Sequence, residues 1–328
     1  MTTTPTPARR RALRFGNRQQ LQQILAFTGL VVIFAFFSFA SPYFLDWPNV
    51  KGILLATSVT GIMALGATFV IATGGIDLSV GTGMTLCSVM TAVFLANIGL
   101  PLFVGVLGGL AIGALIGLVN GLNVSYLRLP PFIATLAMMM IAQGLSLVIS
   151  GTKPIYFSDV AGFDQIAAGE LIPGLPNAVL IFFVAAIVAG VVLSKTLAGR
   201  YALSIGSNEE ATAISGVNVR RWKVVIYVIA GLFTGLAGVV LGSRLNSAQP
   251  GLGLGYELEA IAAVVIGGTS LRGGKATILG TVIGALIMAT LTNGLRIMSI
   301  PQEWQRVAVG IVIILAVYAD QLRRGKEA

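Results

Sequence analysis

Apolar residues run through the chain in long blocks, not in the period-2 alternation of strands or the narrow stripe of a soluble helix. A helix crossing the hydrocarbon core needs about 20 apolar residues. Ten such blocks lie near 21–40, 52–73, 80–96, 100–121, 130–150, 176–195, 223–243, 256–271, 276–295 and 302–320. Polar or Gly/Pro-containing breaks separate them. The pattern predicts an all-α polytopic membrane protein of about ten transmembrane helices. One membrane domain, 21–320, sits between a basic tail, 1–20, and a short C-terminal tail, 321–328. The first block ends in Ser38-Phe39-Ala40, which mimics a signal-peptide cleavage site. Its length is that of a full span, so it reads as an uncleaved helix.

Composition agrees: 56% of the 328 residues are hydrophobic, 10% are charged, and mean hydropathy is +0.91. A soluble domain is near 45–50% apolar and about 25% charged, so the bilayer is the solvent here. The net charge of +9 suggests nucleic acid until it is mapped. With an inside N-terminus, sixteen of the 21 basic residues fall inside, including Arg9, Arg10, Arg11, Arg14, Arg18, Arg128, Arg220, Arg221, Arg323, Arg324 and Lys326. Five fall outside: Lys51, Lys153, Arg244, Arg296 and Arg306. This is the positive-inside distribution of a protein facing lipid headgroups, with both termini cytoplasmic and no nucleic-acid partner. There is no histidine, and Cys87 stands alone. Histidine-based catalysis and disulfides are thereby excluded, and Cys87 reads as a small core residue. No nucleophile–base pair or metal-ligand cluster stands out, so neither metal nor cofactor is expected and the chain reads as a non-enzyme.

Two loops exceed a simple connection. The outside loop 151–175 carries Asp159, Asp164 and Glu170 against Lys153; it is either a solvated link or a docking face. The inside loop 196–222 contains Ser207-Asn208-Glu209-Glu210-Ala211-Thr212-Ala213-Ile214-Ser215-Gly216. Ser207 or Asn208 can cap a short helix, the two glutamates suit its first turn, and Gly216 suits its end. A helix so short needs something to pack on, either its own protein or a cytoplasmic partner.

Ionisable residues between spans are functional candidates. Asp77, in Gly74-Gly75-Ile76-Asp77-Leu78-Ser79-Val80-Gly81, is either a gate or pathway residue, with Ser79, or a helix cap at the membrane surface. Glu257 and Glu259 open the eighth block as a cap, and two-residue spacing keeps them off one face. Asn120, Asn123, Gln143 and Asn293 bridge helices or contact a hydroxylated solute. Gly105, Gly109, Gly113, Gly117 and Gly121 form a close-packing stripe, and Met138-Met139-Met140 reads as packing. The run Gly267–Ala276 looks like a phosphate loop, but Thr269 and Ala276 occupy two required positions and no strand precedes it. Gly113-Ala114-Leu115-Ile116 with Asn120-Gly121-Leu122 echoes Gly284-Ala285-Leu286-Ile287 with Asn293-Gly294-Leu295, as a possible inverted repeat would.

Three stretches carry a family resemblance: Gly74–Gly81, the Ile205-Gly206-Ser207-Asn208…Gly216-Val217 loop, and Tyr256-Glu257-Leu258-Glu259-Ala260 through Leu271. The chain resembles the permease subunit of bacterial ABC sugar importers, the group containing the ribose, xylose and autoinducer-2 permeases. The resemblance implies a fold of the vitamin B12-importer type, working as a homodimer in the inner membrane. It implies a cytoplasmic ATP-binding subunit docked on Ser207–Gly216. It further implies a periplasmic sugar-binding protein meeting 151–175 and the segment with Asn246, Tyr256, Glu257 and Glu259. The cargo would be a monosaccharide such as a ribose-like pentose. Its path would follow the dimer interface, with Asp77 and its polar neighbours at an inner gate. An ion-coupled secondary transporter using Asp77, or an ABC permease for an amino acid or nucleoside, is the alternative.

Overall fold

The computed structural model describes residues 8–325, with side chains for 23–318 and for Gln321. The chain forms α1 (Ala8–Ala40), α2 (Trp47–Ala72), α3 (Val80–Ala92) continued by a π-helical turn (Val93–Asn97), α4 (Leu102–Ser125), α5 (Pro131–Ser150), β1 (Ile155–Tyr156) and α6 (Phe163–Ala168). There follow α7 (Asn177–Lys195), α8 (Leu197–Ser207), α9 (Glu209–Ile214), α10 (Val219–Leu245), β2 (Ser247–Ala248), α11 (Tyr256–Ile266), α12 (Ile278–Ile297) and α13 (Gln302–Gly325). It is a polytopic all-α membrane protein. Among the described residues, eight helices are long and apolar enough to cross a membrane.

One of the ten expected blocks is too short to cross the bilayer alone. The block 256–271 is the short helix α11, whose 11 residues reach about 16 Å at 1.5 Å each, half of a bilayer core. It stops because Gly267 and Gly268 turn the chain, with Gly268 at φ 90°. The block 302–320 falls on α13. α1 starts at Ala8, and α13 runs on to Gly325. Residues 1–7 and 326–328, and the side chains of Arg9, Arg10, Arg11, Arg14, Arg18, Arg323 and Arg324, lie outside the described part.

The core gathers α2, α10 and α12 with faces of α7 and α11. The glycine stripe does what its spacing predicts. Gly105, Gly109, Gly113, Gly117 and Gly121 are all buried. A Cβ on Gly113 would overlap the Gly231 carbonyl, and one on Gly121 would come within 2.8 Å of Val224 Cα. Backbones of α4 and α10 thus touch along their length, antiparallel, as small residues allow.

The echoing segments fall on α4 and α12. Around them α10 packs along α4 as α2 packs along α12, while α3 lies against α4 and α10 as α11 lies against α12 and α2. The Thr68–Thr281 hydroxyl pair, 2.8 Å apart, joins the end of α2 to the start of α12. The triplets α2–α3–α4 and α10–α11–α12 therefore match in opposed directions, the arrangement of an inverted repeat.

At one end of the bundle, 151–175 is a folded cap. β1 pairs antiparallel with β2, Ile155 opposite Ala248 and Tyr156 opposite Ser247. Phe157 and Phe163 pack at 4.0 Å between ring centres. The Ser243 hydroxyl donates to Phe163 O at 2.6 Å and accepts from Ala167 N–H at 2.9 Å. Lys51 and Glu170 close the rim at 2.6 Å. The opposite end holds α8, α9 and the 267–277 turn.

Candidate functional site

The site has three parts, one at each end of the bundle and one between. At the end assigned to the cytoplasm, the polar loop 196–222 contains two helices, not one. α8 buries Ala198, Gly199, Ala202 and Ile205 on one face. α9 is capped by Asn208, whose side-chain oxygen accepts from Ala211 N–H at 2.9 Å; Ser207 closes α8 instead. Glu209 pairs with Lys223 at 2.8 Å, and Gly216 leaves the helix at φ 84°. α9 leans on its own protein through Thr212, its one buried residue. Ser207, Asn208, Glu209, Glu210, Ala211, Ala213, Ser215 and Gly216 are exposed, and Ile214 is 81% exposed. Its apolar outer face is uncovered.

Between the ends, 73–79 forms an extended strap from α2 to α3. Asp77 is buried within the protein. Its Oδ1 accepts from Ser79 N–H at 2.8 Å and from Ser79 Oγ–H at 2.6 Å, and Asn120 Nδ2 donates to Ser79 Oγ at 2.8 Å. Thr135 Oγ1 accepts from Leu78 N–H at 3.2 Å. The hydroxyl of Tyr227 lies 3.0 Å from where a Cβ on Gly75 would sit, and it has no hydrogen-bond partner among the described residues. Asp77, Ser79 and Asn120 thus meet, but Asn293 does not join them. It sits on α12, where its amide nitrogen is 3.9 Å from a Cβ position on Gly52. Thr135 and Tyr227 were missed, although each is a polar group inside an apolar block.

Toward the outer end, 249–255 dips inward and α11 starts at its tip. Thr85 Oγ donates to Leu252 O at 2.8 Å. Glu257 turns back to accept from Gly255 N–H at 3.0 and 3.1 Å, relieving an orphan donor of the helix start. The cap reading of Glu257 holds, but its expected place on an outer face does not. It is buried, and a Cβ on Gly81 would lie 2.5 Å from its Oε2. The first turns of α3 and α11 therefore meet inside the bundle, each beside one carboxylate that complements its helix start. Asn246 remains exposed, as the left-handed cap of α10 at φ 48°.

Outward of that meeting lies a cavity of about 650 Å³, lined by Thr60, Arg244, Tyr256, Glu259, Arg296, Gln302, Gln305 and Arg306 among others. Three of the five outside basic residues converge here, from α10, α12 and α13. Arg244 reaches Leu55 O at 3.4 Å, and among the described residues none of the three arginines stands in an ion pair. Guanidinium and amide groups lining a membrane cavity are ready hydrogen-bond donors for a hydroxylated solute. The charge map located these arginines on the outside but gave no sign that they share a cavity. At the rim, a hydrogen bond from Lys51, with a second from Gly174 N–H, holds the Glu170 carboxyl below its ordinary pKa. Asp159 and Glu170, with Leu171 and Ile172, stay exposed there.

Residues 49–317 match the family described as branched-chain amino acid transport system / permease component. The chain is 41% identical to the ribose import permease protein of Escherichia coli strain K12 over 327 residues, 99% of this chain and 100% of that protein. It is 43% identical to the ribose import permease protein of Bacillus subtilis strain 168, covering 92% and 93%. It is 37% identical to the D-allose transport system permease protein of Escherichia coli strain K12, covering 89% and 90%.

Proposed function

The chain belongs to the ribose-type sugar permeases of the ABC importer permease family, and from that membership we propose that it is the translocation subunit of an ATP-driven monosaccharide importer. A ribose-like pentose is the proposed cargo. The observation that carries this reading is the end-to-end identity with ribose import permeases. The cavity beside α11 adds chemistry suited to a neutral polyol, offering guanidinium, amide and phenol groups.

In this reading α9 is the coupling helix, with Ser207, Asn208, Glu209, Glu210, Ala211, Ala213, Ile214, Ser215 and Gly216 facing a separate ATPase subunit. ATP is bound by that subunit and not by this chain. The folded 151–175 cap and Asn246 receive a periplasmic sugar-binding protein. Solute then enters the cavity lined by Tyr256, Glu259 and the three arginines. A second copy completes the path, both termini lie in the cytoplasm, and the home is the bacterial inner membrane. Asp77, Ser79 and Asn120 brace the strap below the cavity. Their mutual hydrogen bonds favour this brace over an ion carrier, whose carboxylate would have to exchange partners with solvent.

The test is uptake of labelled ribose by the native host with the gene deleted and restored. Loss on deletion and recovery with the intact chain supports the proposal. Undiminished ribose uptake in the deletion strain, together with lost uptake of an amino acid or nucleoside, overturns the sugar assignment.

A further inference from the structure

Three segments far apart in sequence interlock through bare backbone at the end that carries α8 and α9. The end of α2 contributes Ala72 and Gly74, the end of α8 contributes Gly206 and Ser207, and the α11–α12 turn contributes Arg272, Gly273 and Gly274. Gly274 N–H donates to Ala72 O at 2.9 Å. A Cβ on Gly206 would overlap Ala72 O and lie 2.5 Å from Gly274 N and 2.9 Å from Gly273 Cα. A Cβ on Gly273 would lie 2.6 Å from Gly74 N and 2.7 Å from Gly206 Cα. Gly74, Gly273 and Gly274 hold φ of 81°, 81° and 76°, where a side chain is strained. Each segment presses on the other two, with no flexible side chain between them to absorb a displacement.

What these segments lead to gives the contact its meaning. Ser207 is followed at once by Asn208 and α9. Ala72 and Gly74 run into the strap that carries Asp77 and Ser79. Gly273 and Gly274 join α12 to α11, whose far end carries Tyr256 and Glu259 of the cavity. We propose that Gly206, Gly273 and Gly274 form the joint that passes movement of α9 to both the strap and α11, so that one push at the coupling face shifts the two broken segments together. Close-packed contacts transmit displacement because they are not continuously deformable. The proposal rests on the importer reading and assigns positioning residues within it.

The first test is Gly206→Ala in the complex purified with its ATPase, with Gly190→Ala as the control. A Cβ on Gly190 meets nothing within 4 Å. Gly206→Ala should retain the ATPase subunit and its hydrolysis, lose stimulation by loaded binding protein, and lower uptake by about tenfold, within the range for disrupted coupling. Gly190→Ala should transport as wild type. Wild-type uptake and stimulation in Gly206→Ala overturn the joint. Failure of any ATPase to accompany the wild-type chain would instead overturn the importer reading.

The second test does not depend on the variant folding. Hydrogen exchange of the wild-type complex is compared without nucleotide and trapped with ATP and vanadate. The joint predicts that peptides covering 197–214, 70–79 and 267–277 change together. A change confined to 197–214 contradicts it.

Discussion

Replacing Asp77 separates a structural brace from a carrier most sharply. Oδ1 accepts two hydrogen bonds, from Ser79 N–H at 2.8 Å and Ser79 Oγ–H at 2.6 Å, and Asn120 secures the same hydroxyl. Asp77→Ala leaves the buried Ser79 N–H without its acceptor, at about 1–3 kcal/mol, and forfeits a bond to a charged group worth about 1.5–3 kcal/mol. The combined cost is about 2.5–6 kcal/mol, a large share of a typical folding free energy of about 5–15 kcal/mol. Asp77→Asn keeps an acceptor oxygen and loses only the charge assistance, about 1 kcal/mol. Cys87 supplies the assay, because it is the single cysteine, fully buried, and lies on α3 just beyond the strap. Its reaction with a fluorogenic thiol reagent during heating in mild detergent reports release of α3. Asp77→Ala should react at clearly lower temperature than wild type and Asp77→Asn nearly as wild type, with Asp77→Asn retaining uptake. A wild-type melt for Asp77→Ala refutes the brace. A stably folded Asp77→Asn without uptake makes Asp77 a carrier.

Other outcomes follow from single contacts. Asn208→Ala removes the cap of α9, at about 1 kcal/mol; co-purification should show less retained ATPase with an unchanged thermal melt of the membrane domain, and equal retention would count against α9 as the docking helix. Arg296→Gln removes a cation from the cavity, and initial uptake at limiting solute should drop by about tenfold, equivalent to about 1.4 kcal/mol; unchanged uptake would place the path elsewhere. The Lys51–Glu170 contact should depend on pH. Because Glu170 is held below its ordinary pKa by Lys51, its contribution is full above the ordinary carboxylate value of about 4.3. It fades as pH falls through the depressed folded value. Pepsin cleavage within 151–175 should therefore match that of Glu170→Gln only in stronger acid, and a match already at pH 5 would contradict the assignment.

Most of the architecture is legible from the residues. Long apolar blocks specify helices, the four-residue glycine spacing of Gly105–Gly121 specifies a close helix packing face, and Asn208 before two glutamates specifies a capped helix. Asp77 and Ser79 stand out as polar groups between apolar blocks, but nothing in the spacing shows that Asn120 joins them. The rest depends on tertiary placement. Hydropathy averages across Gly267 and Gly268, so the end of α11 is invisible to it. Only Thr196 separates α8 from α7, which hides α8 inside a polar loop. Glu257 turns inward because Gly81 leaves room for its carboxylate, and no spacing along either segment reveals that. The cavity arginines lie on three helices that fold alone brings together.

The central claim is that this chain moves solute using ATP hydrolysed by another subunit, and one purification tests it directly. The tagged chain is extracted from its native host in mild detergent and assayed for vanadate-sensitive ATP hydrolysis. The account predicts a stoichiometric ATPase subunit and hydrolysis that rises when loaded sugar-binding protein is added. A stable, monodisperse chain that carries no ATPase and yet accumulates ribose in liposomes down an ion gradient would contradict it.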